Sequence, residues 1–190
     1  MTYVKTLKSE KRYAGKIFNL IVDEVEYKSG NRGVREVAEH PGGAVVVPLL
    51  SDGTVLLVHQ YRYPLKKELL ELPAGKLDPG EDPQVCAARE LQEETGYKAG
   101  TLRKLTAIHT TPGFCNEQLH IFLATELSKS PLGQQLEEGE ADLTVRPYSL
   151  DEVVRMIDKG EITDGKTICG IMMTEHQIRT GVLQLPSSRP

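Results

Sequence analysis

Apolar and polar positions alternate along residues 17–27 (IFNLIVDEVEY) after a short apolar start, the period of a half-buried strand. Ser29-Gly30-Asn31 supplies turn chemistry, and residues 33–39 can return as the second strand of a hairpin. Such a hairpin is marginal alone, so it is expected to pack on the rest of the chain or on a second copy. Pro41-Gly42-Gly43 then punctuates the sequence and divides residues 1–41 from residues 42–190. Beyond it, 44–50 (AVVVPLL) and 54–61 (TVLLVHQY) read as two strands joined at Ser51-Asp52-Gly53. Residues 82–95 predict a helix, with Asp82 capping its first amides, Pro83 at the first helical position and Gly96 past its end. Further strands are predicted at 102–109, 118–125 and 145–148, and helices at 150–159 and 166–180, with a frayed tail from Pro186. The segment 129–142 is a polar, acidic loop too long for a simple connection. Strands interleaved with helices point to an α/β fold, a sandwich with a mixed sheet, preceded by a small N-terminal antiparallel β unit.

Charge and composition narrow the partners. Lys+Arg 23 against Asp+Glu 27 gives a net charge of −4, which offers no general attraction to nucleic acid or to an anionic membrane. No segment approaches the roughly 18 apolar residues of a membrane span. The N-terminus lacks the apolar run of a secretory signal. Cys86, Cys115 and Cys169 form no C-x-x-C pair, which fits reduced thiols in a cytoplasmic protein.

The chemistry concentrates in residues 75–97, GKLDPGEDPQVCAARELQEETGY. At about 100° per residue Glu90 and Glu94 share one helix face with Glu93 beside them, while Val85, Ala88 and Leu91 are expected to turn toward the core. Carboxylates gathered this closely repel. A hard divalent cation resolves the conflict, because Mg²⁺ takes oxygen ligands and is commonly held by one or two carboxylates plus substrate phosphates. Gly75, Glu81, Arg89, Glu90, Glu93, Glu94 and Gly96, with Leu91 and Tyr97 at apolar positions, match the Nudix box, G-x₅-E-x₇-R-E-U-x-E-E-x-G-U with U apolar. Seven identities at roughly 7% each give on the order of 10⁻⁸ per start position by chance.

The chain therefore resembles the Nudix hydrolases, which split nucleoside diphosphates linked to another moiety on an α/β/α sandwich. The resemblance implies Glu90 and Glu94 as the principal Mg²⁺ ligands (or Mn²⁺ in its place), with Glu93 and the carbonyl of Ala74 completing the set. Glu81 and Arg89 are implied as supports of the loop and helix. Within the superfamily the chain is similar to the ADP-ribose pyrophosphatase branch through Glu71-Leu72-Pro73-Ala74-Gly75 after Gln60-Tyr61-Arg62-Tyr63-Pro64, through Pro112 in TTPGFCNE, and through the N-terminal hairpin. That branch exchanges the hairpin between the subunits of a homodimer. It implies Arg62 and Glu117 as substrate contacts, and Phe18 and Arg35 as groups holding adenine and phosphates from the partner subunit. It also places a general base on a loop after the proline, here Glu140 or, next, Glu138. The substrate implied is a small nucleotide sugar, ADP-ribose first and GDP-mannose as the alternative. A non-catalytic ADP-ribose sensor is the competing class, and the intact acidic set argues against it.

Overall fold

In the computed structural model, which describes residues 3–184, the chain opens with a strand that hydrophobic periodicity does not reveal. β1 (Val4–Ala14) carries Lys5, Lys8, Lys11 and Arg12, is largely exposed and shows no apolar alternation. It exists because β2 (Asn19–Tyr27) offers it a backbone ladder, antiparallel from Val4↔Tyr27 to Ala14↔Asn19. On its other edge β2 pairs with β3 (Arg32–Glu39), so the expected hairpin supplies the central strand and one edge of a three-stranded sheet. Residues 109–118 belong to the same compact unit. The Ala38 amide donates to the Phe114 carbonyl (2.8 Å), and the His40 amide to Asn116 Oδ1 (2.7 Å). The first unit thus ends at Gly42 but also takes in a segment that the pattern alone assigns to the rest of the chain.

The remaining described residues form the second unit. Its strands are β4 (Gly43–Pro48), β5 (Thr54–Arg62), β6 (Lys67–Glu71) and β7 (Ala74–Lys76). After α1 (Pro83–Thr95) come β8 (Tyr97–Lys98), β9 (Thr101–His109), β10 (Gln118–Thr125) and β11 (Ser128–Lys129). β12 (Thr144–Ser149), α2 (Leu150–Asp158) and α3 (Gly165–Arg179) complete it. The order β7-β4-β10-β9 makes one sheet, in which β4 runs parallel to β10 and antiparallel to β7. The order β12-β5-β6 makes a second, antiparallel one.

β4 is buried throughout, which is why it reads as a continuous apolar run rather than an alternating one. Val45 and Val47 pack with Leu57, Leu72, Ile121, Val153 of α2 and Ile171 of α3. Ala44 and Val46 point the other way, onto Phe122 and onto Cys86, Ala87 and Leu91 of α1. Helices on both faces of a mixed sheet give the expected α/β/α sandwich. Each fully buried Val or Leu there contributes roughly 1.5–3 kcal/mol.

β6 and β7 were not foreseeable as separate strands, because residues 67–76 carry too little alternation and are interrupted by Pro73. The break has a purpose. β6 pairs with β5, β7 pairs with β4, and Leu72-Pro73 carries the chain from one sheet to the other. Glu71 consequently ends one sheet while Ala74 and Gly75 begin the other, under α1. Among the described residues no helix is long and apolar enough to cross a membrane, and all three cysteines are free. The tail expected to fray from Pro186 lies outside the described residues.

Candidate metal and hydrolysis site

α1 begins and ends as its sequence dictates. Asp82 Oδ1 accepts from the Gln84 amide (2.8 Å), Pro83 follows, and Gly96 at φ 72° donates to the Gln92 carbonyl. Its facing differs from expectation. Val85 is 59% exposed and Ala88 is also exposed, whereas Cys86, Ala87, Glu90, Leu91, Glu94 and Thr95 are buried. Residues 87, 90, 91 and 94 fall on one side of a helix, so the acidic face and the apolar face overlap. Glu90 and Glu94 are not on a solvated stripe: they are 8% and 1% exposed.

Arg89 holds this cluster together. Its Nε and Nη2 grip Glu81 (3.0 and 2.9 Å), and its Nη1 donates to Glu90 Oε1 (2.6 Å) and Glu93 Oε2 (3.0 Å). The hydrogen bonds from Arg89 pull the Glu81 carboxyl down to about 2, so it is ionised throughout the physiological range. Glu81 Oε2 also accepts from the Asp78 amide (3.0 Å), which ties the loop to the helix. This is the supporting role expected of Glu81 and Arg89.

Glu94 is served differently. One oxygen accepts from the Ala74 amide (3.0 Å), and Arg89 does not reach it. Burial, then the charges of Glu90 and Glu140, push its carboxyl up to about 8. Burial likewise lifts Glu90 to about 7 despite Arg89. Gly75 makes room for this arrangement, because a Cβ there would land on the Glu90 carboxyl group. Among the described residues, three carboxylates are not yet gathered round a common point: Arg89 draws Glu90 and Glu93, while Glu94 turns to Ala74. Two buried, mutually repelling carboxylates with insufficient local positive charge are a donor set that a hard divalent cation fits.

The acidic loop is fastened to the end of α1. Gln134 Nε2 donates to the Glu94 carbonyl (2.6 Å) and the Gln135 amide to the Glu93 carbonyl (2.9 Å), satisfying two carbonyls that the helix terminus leaves open. A short turn at Glu138–Glu140 follows, in which Glu140 Oε2 accepts from the Glu137 amide (3.3 Å). Glu140 raises the pKa of both Glu90 and Glu94, which places its charge near the cluster. Glu138 is exposed and is not among the largest influences on either carboxyl.

The expected substrate contacts divide between the two units. Arg62, at the end of β5, is engaged through Nε and Nη2 with Glu71 (2.7 and 2.6 Å), and its charge works to lower Glu94. In the first unit, Phe18 (43% exposed) and Glu117 line one cavity of about 570 Å³ with Ile17, Ala38, His40 and Phe114. Glu117 accepts from Thr110 Oγ1 (2.7 Å), and its other oxygen lies 3.3 Å from His40 Nδ1. Arg35 does not line that cavity; its guanidinium sits 5.2 Å from the Tyr27 ring centroid. Sequence reasoning missed the polar network behind Arg62, built from Glu71, Lys166, Asp164 and Thr167, and the two glutamines of the loop. None of these carries a spacing signal of its own.

The mixed α/β/α sandwich with this glutamate-bearing helix and its arginine brace defines a Nudix-type domain. The NUDIX domain model matches residues 39–169, so the chain belongs to that family. It is 40% identical over 167 residues to the ADP-ribose pyrophosphatase of Bacillus subtilis (strain 168), covering 88% of this chain and 90% of that one. It is 40% identical over 174 residues to the methanol dehydrogenase activator of Bacillus methanolicus (91% and 93%). To the ADP-ribose pyrophosphatase of Mycobacterium tuberculosis (strain ATCC 25618 / H37Rv) it is 39% identical over 181 residues (95% and 86%). A solved structure described as an ADP compounds hydrolase shares the fold, with a TM-score of 0.82 at 20% identity, covering 95% of this chain and 97% of that one.

Proposed function

We propose that the chain hydrolyses the diphosphate of ADP-ribose to AMP and ribose 5-phosphate, with Mg²⁺ held by Glu90, Glu94, Glu93 and the Ala74 carbonyl. The observation that carries this reading is the pair of buried, raised carboxylates Glu90 and Glu94 with the charge of Glu140 beside them. When bound, the metal neutralises diphosphate charge and lowers the pKa of the attacking water. Glu140 accepts the proton of that water, and Arg62 offers a guanidinium edge to the diphosphate. The family resemblance assigns Glu117 to the ribose hydroxyls and Phe18, contributed by the second subunit, to the base.

The substrate is tested by turnover of a nucleotide-sugar panel with Mg²⁺. ADP-ribose is expected to exceed GDP-mannose at least about tenfold in kcat/KM, a difference of roughly 1.4 kcal/mol at the transition state. The opposite order would keep the metal site and discard the adenine assignments of Phe18 and Arg35. The proposal includes a homodimer paired through the β1–β3 sheet, supported by the exposure of Leu7, Tyr13, Ile17 and Val34 on that unit. Sedimentation is expected to give twice the 21.1 kDa of one chain, and a single monomeric species would remove the dimer.

A further inference from the structure

Glu71 is 1% exposed, a carboxylate at the end of β6 where a scaffold would ordinarily place an apolar residue. Removing such a charge from water costs several kcal/mol unless it is paired and hydrogen-bonded. Here it is paired twice. Arg62 of β5 donates through Nε to Oε1 and through Nη2 to Oε2, while Lys166 of α3 donates to Oε2. Burial works to raise the Glu71 carboxyl, but the Arg62 hydrogen bonds and the charges of Lys166 and Arg62 together hold it below its usual value. Lys166 is fixed in turn by Asp164 Oδ2 (3.0 Å). That carboxylate oxygen also accepts from the Thr167 amide (3.0 Å) and hydroxyl (2.6 Å). Thr167 Oγ1 receives the Leu72 amide (2.8 Å), which closes the network back onto the strand crossover.

The consequence falls on Arg62. Its Nε and Nη2 occupy one edge of the planar guanidinium, and Nη1 makes no hydrogen bond among the described residues. An arginine free to rotate loses considerable side-chain entropy on gripping a ligand, and one already held in a single pose loses less. The Arg62 charge also reaches Glu94, so the held guanidinium lies within electrostatic range of the acidic cluster. We propose that Glu71, anchored by Lys166, is a positioning residue that presents the Nη1 edge of Arg62 to the diphosphate of the substrate. This rests on the reading of Arg62 as a substrate contact.

The test is a double-mutant cycle on the full chain, measuring steady-state hydrolysis of ADP-ribose with Mg²⁺. Arg62→Ala is expected to raise KM about tenfold or more, and Glu71→Gln about tenfold with kcat within about threefold; each tenfold corresponds to 1.4 kcal/mol. The double variant should be no worse than Arg62→Ala alone, because nothing remains for Glu71 to hold. A general loss of structure would lower kcat as well and would persist in the Arg62→Ala background. Should Glu71→Gln not fold, Glu71→Asp carries the same cycle, since it keeps a charge for Lys166 but falls one methylene short of Arg62. Additive effects overturn the positioning role and leave Arg62 as a contact. An unchanged KM in Arg62→Ala, or a wild-type chain that turns over no nucleoside diphosphate sugar, overturns both.

Discussion

Glu94→Gln is expected to lower Mg²⁺-dependent turnover by at least about 10³-fold while making the metal-free protein more stable in alkaline solution. The two effects have one cause. Glu94 is buried, its carboxyl lies at about 8 and that of Glu90 at about 7, both above the ordinary 4.5. Between roughly pH 5 and pH 8 the folded chain therefore holds protons that the unfolded chain has released. Stability falls with rising pH wherever the folded state binds more protons, so the contribution is present below the unfolded value and lost as pH rises through the folded one. Glutamine keeps an acceptor for the Ala74 amide and cannot ionise. Its melting temperature should exceed that of the wild type by on the order of 5 °C at pH 9 and differ little at pH 5. Added Mg²⁺ should raise the wild-type melting temperature and not that of the variant. A variant that turns over normally, or melts no higher than wild type at pH 9, would contradict the assigned role.

Glu140→Gln is expected to lower kcat by about 10²- to 10⁴-fold with KM for ADP-ribose nearly unchanged, the range associated with loss of a general base. The substitution removes a proton acceptor and leaves Arg62 and Glu117 in place; by taking away one negative charge it eases, rather than adds to, the upward push on the Glu90 and Glu94 carboxyls. The anchoring of the loop through Gln134 and Gln135 should survive it, because those contacts run to α1 backbone carbonyls. An unchanged rate in Glu140→Gln together with a large loss in Glu138→Gln would move the role to Glu138.

The acidic residues were legible in the sequence because their chemistry demands a spacing, and spacing survives in one dimension. Asp82, Pro83 and Gly96 likewise announce the ends of α1 through local rules of capping and left-handed backbone. What failed was the orientation of the helix. Hydrophobic patterning assumes that carboxylates seek water, whereas Glu90 and Glu94 lie on the same side as Ala87 and Leu91, buried beside them. A functional site breaks the pattern that predicts an ordinary helix face. β1 was invisible for a related reason: a strand held by its backbone ladder, with both faces largely exposed, needs no apolar alternation. The Glu71–Arg62–Lys166 network joins residues up to a hundred or so positions apart, and nothing local marks it until β5, β6 and α3 are brought together.

By the proposed function, this site cleaves the diphosphate linkage of ADP-ribose in a divalent-metal-dependent reaction. Incubation of the full chain with ADP-ribose and Mg²⁺, with products separated by chromatography, tests it most directly. Equal amounts of AMP and ribose 5-phosphate, formed only with the metal and abolished by a chelator, are the predicted result. Intact ADP-ribose after prolonged incubation, or adenosine products that form equally well without metal, would contradict it.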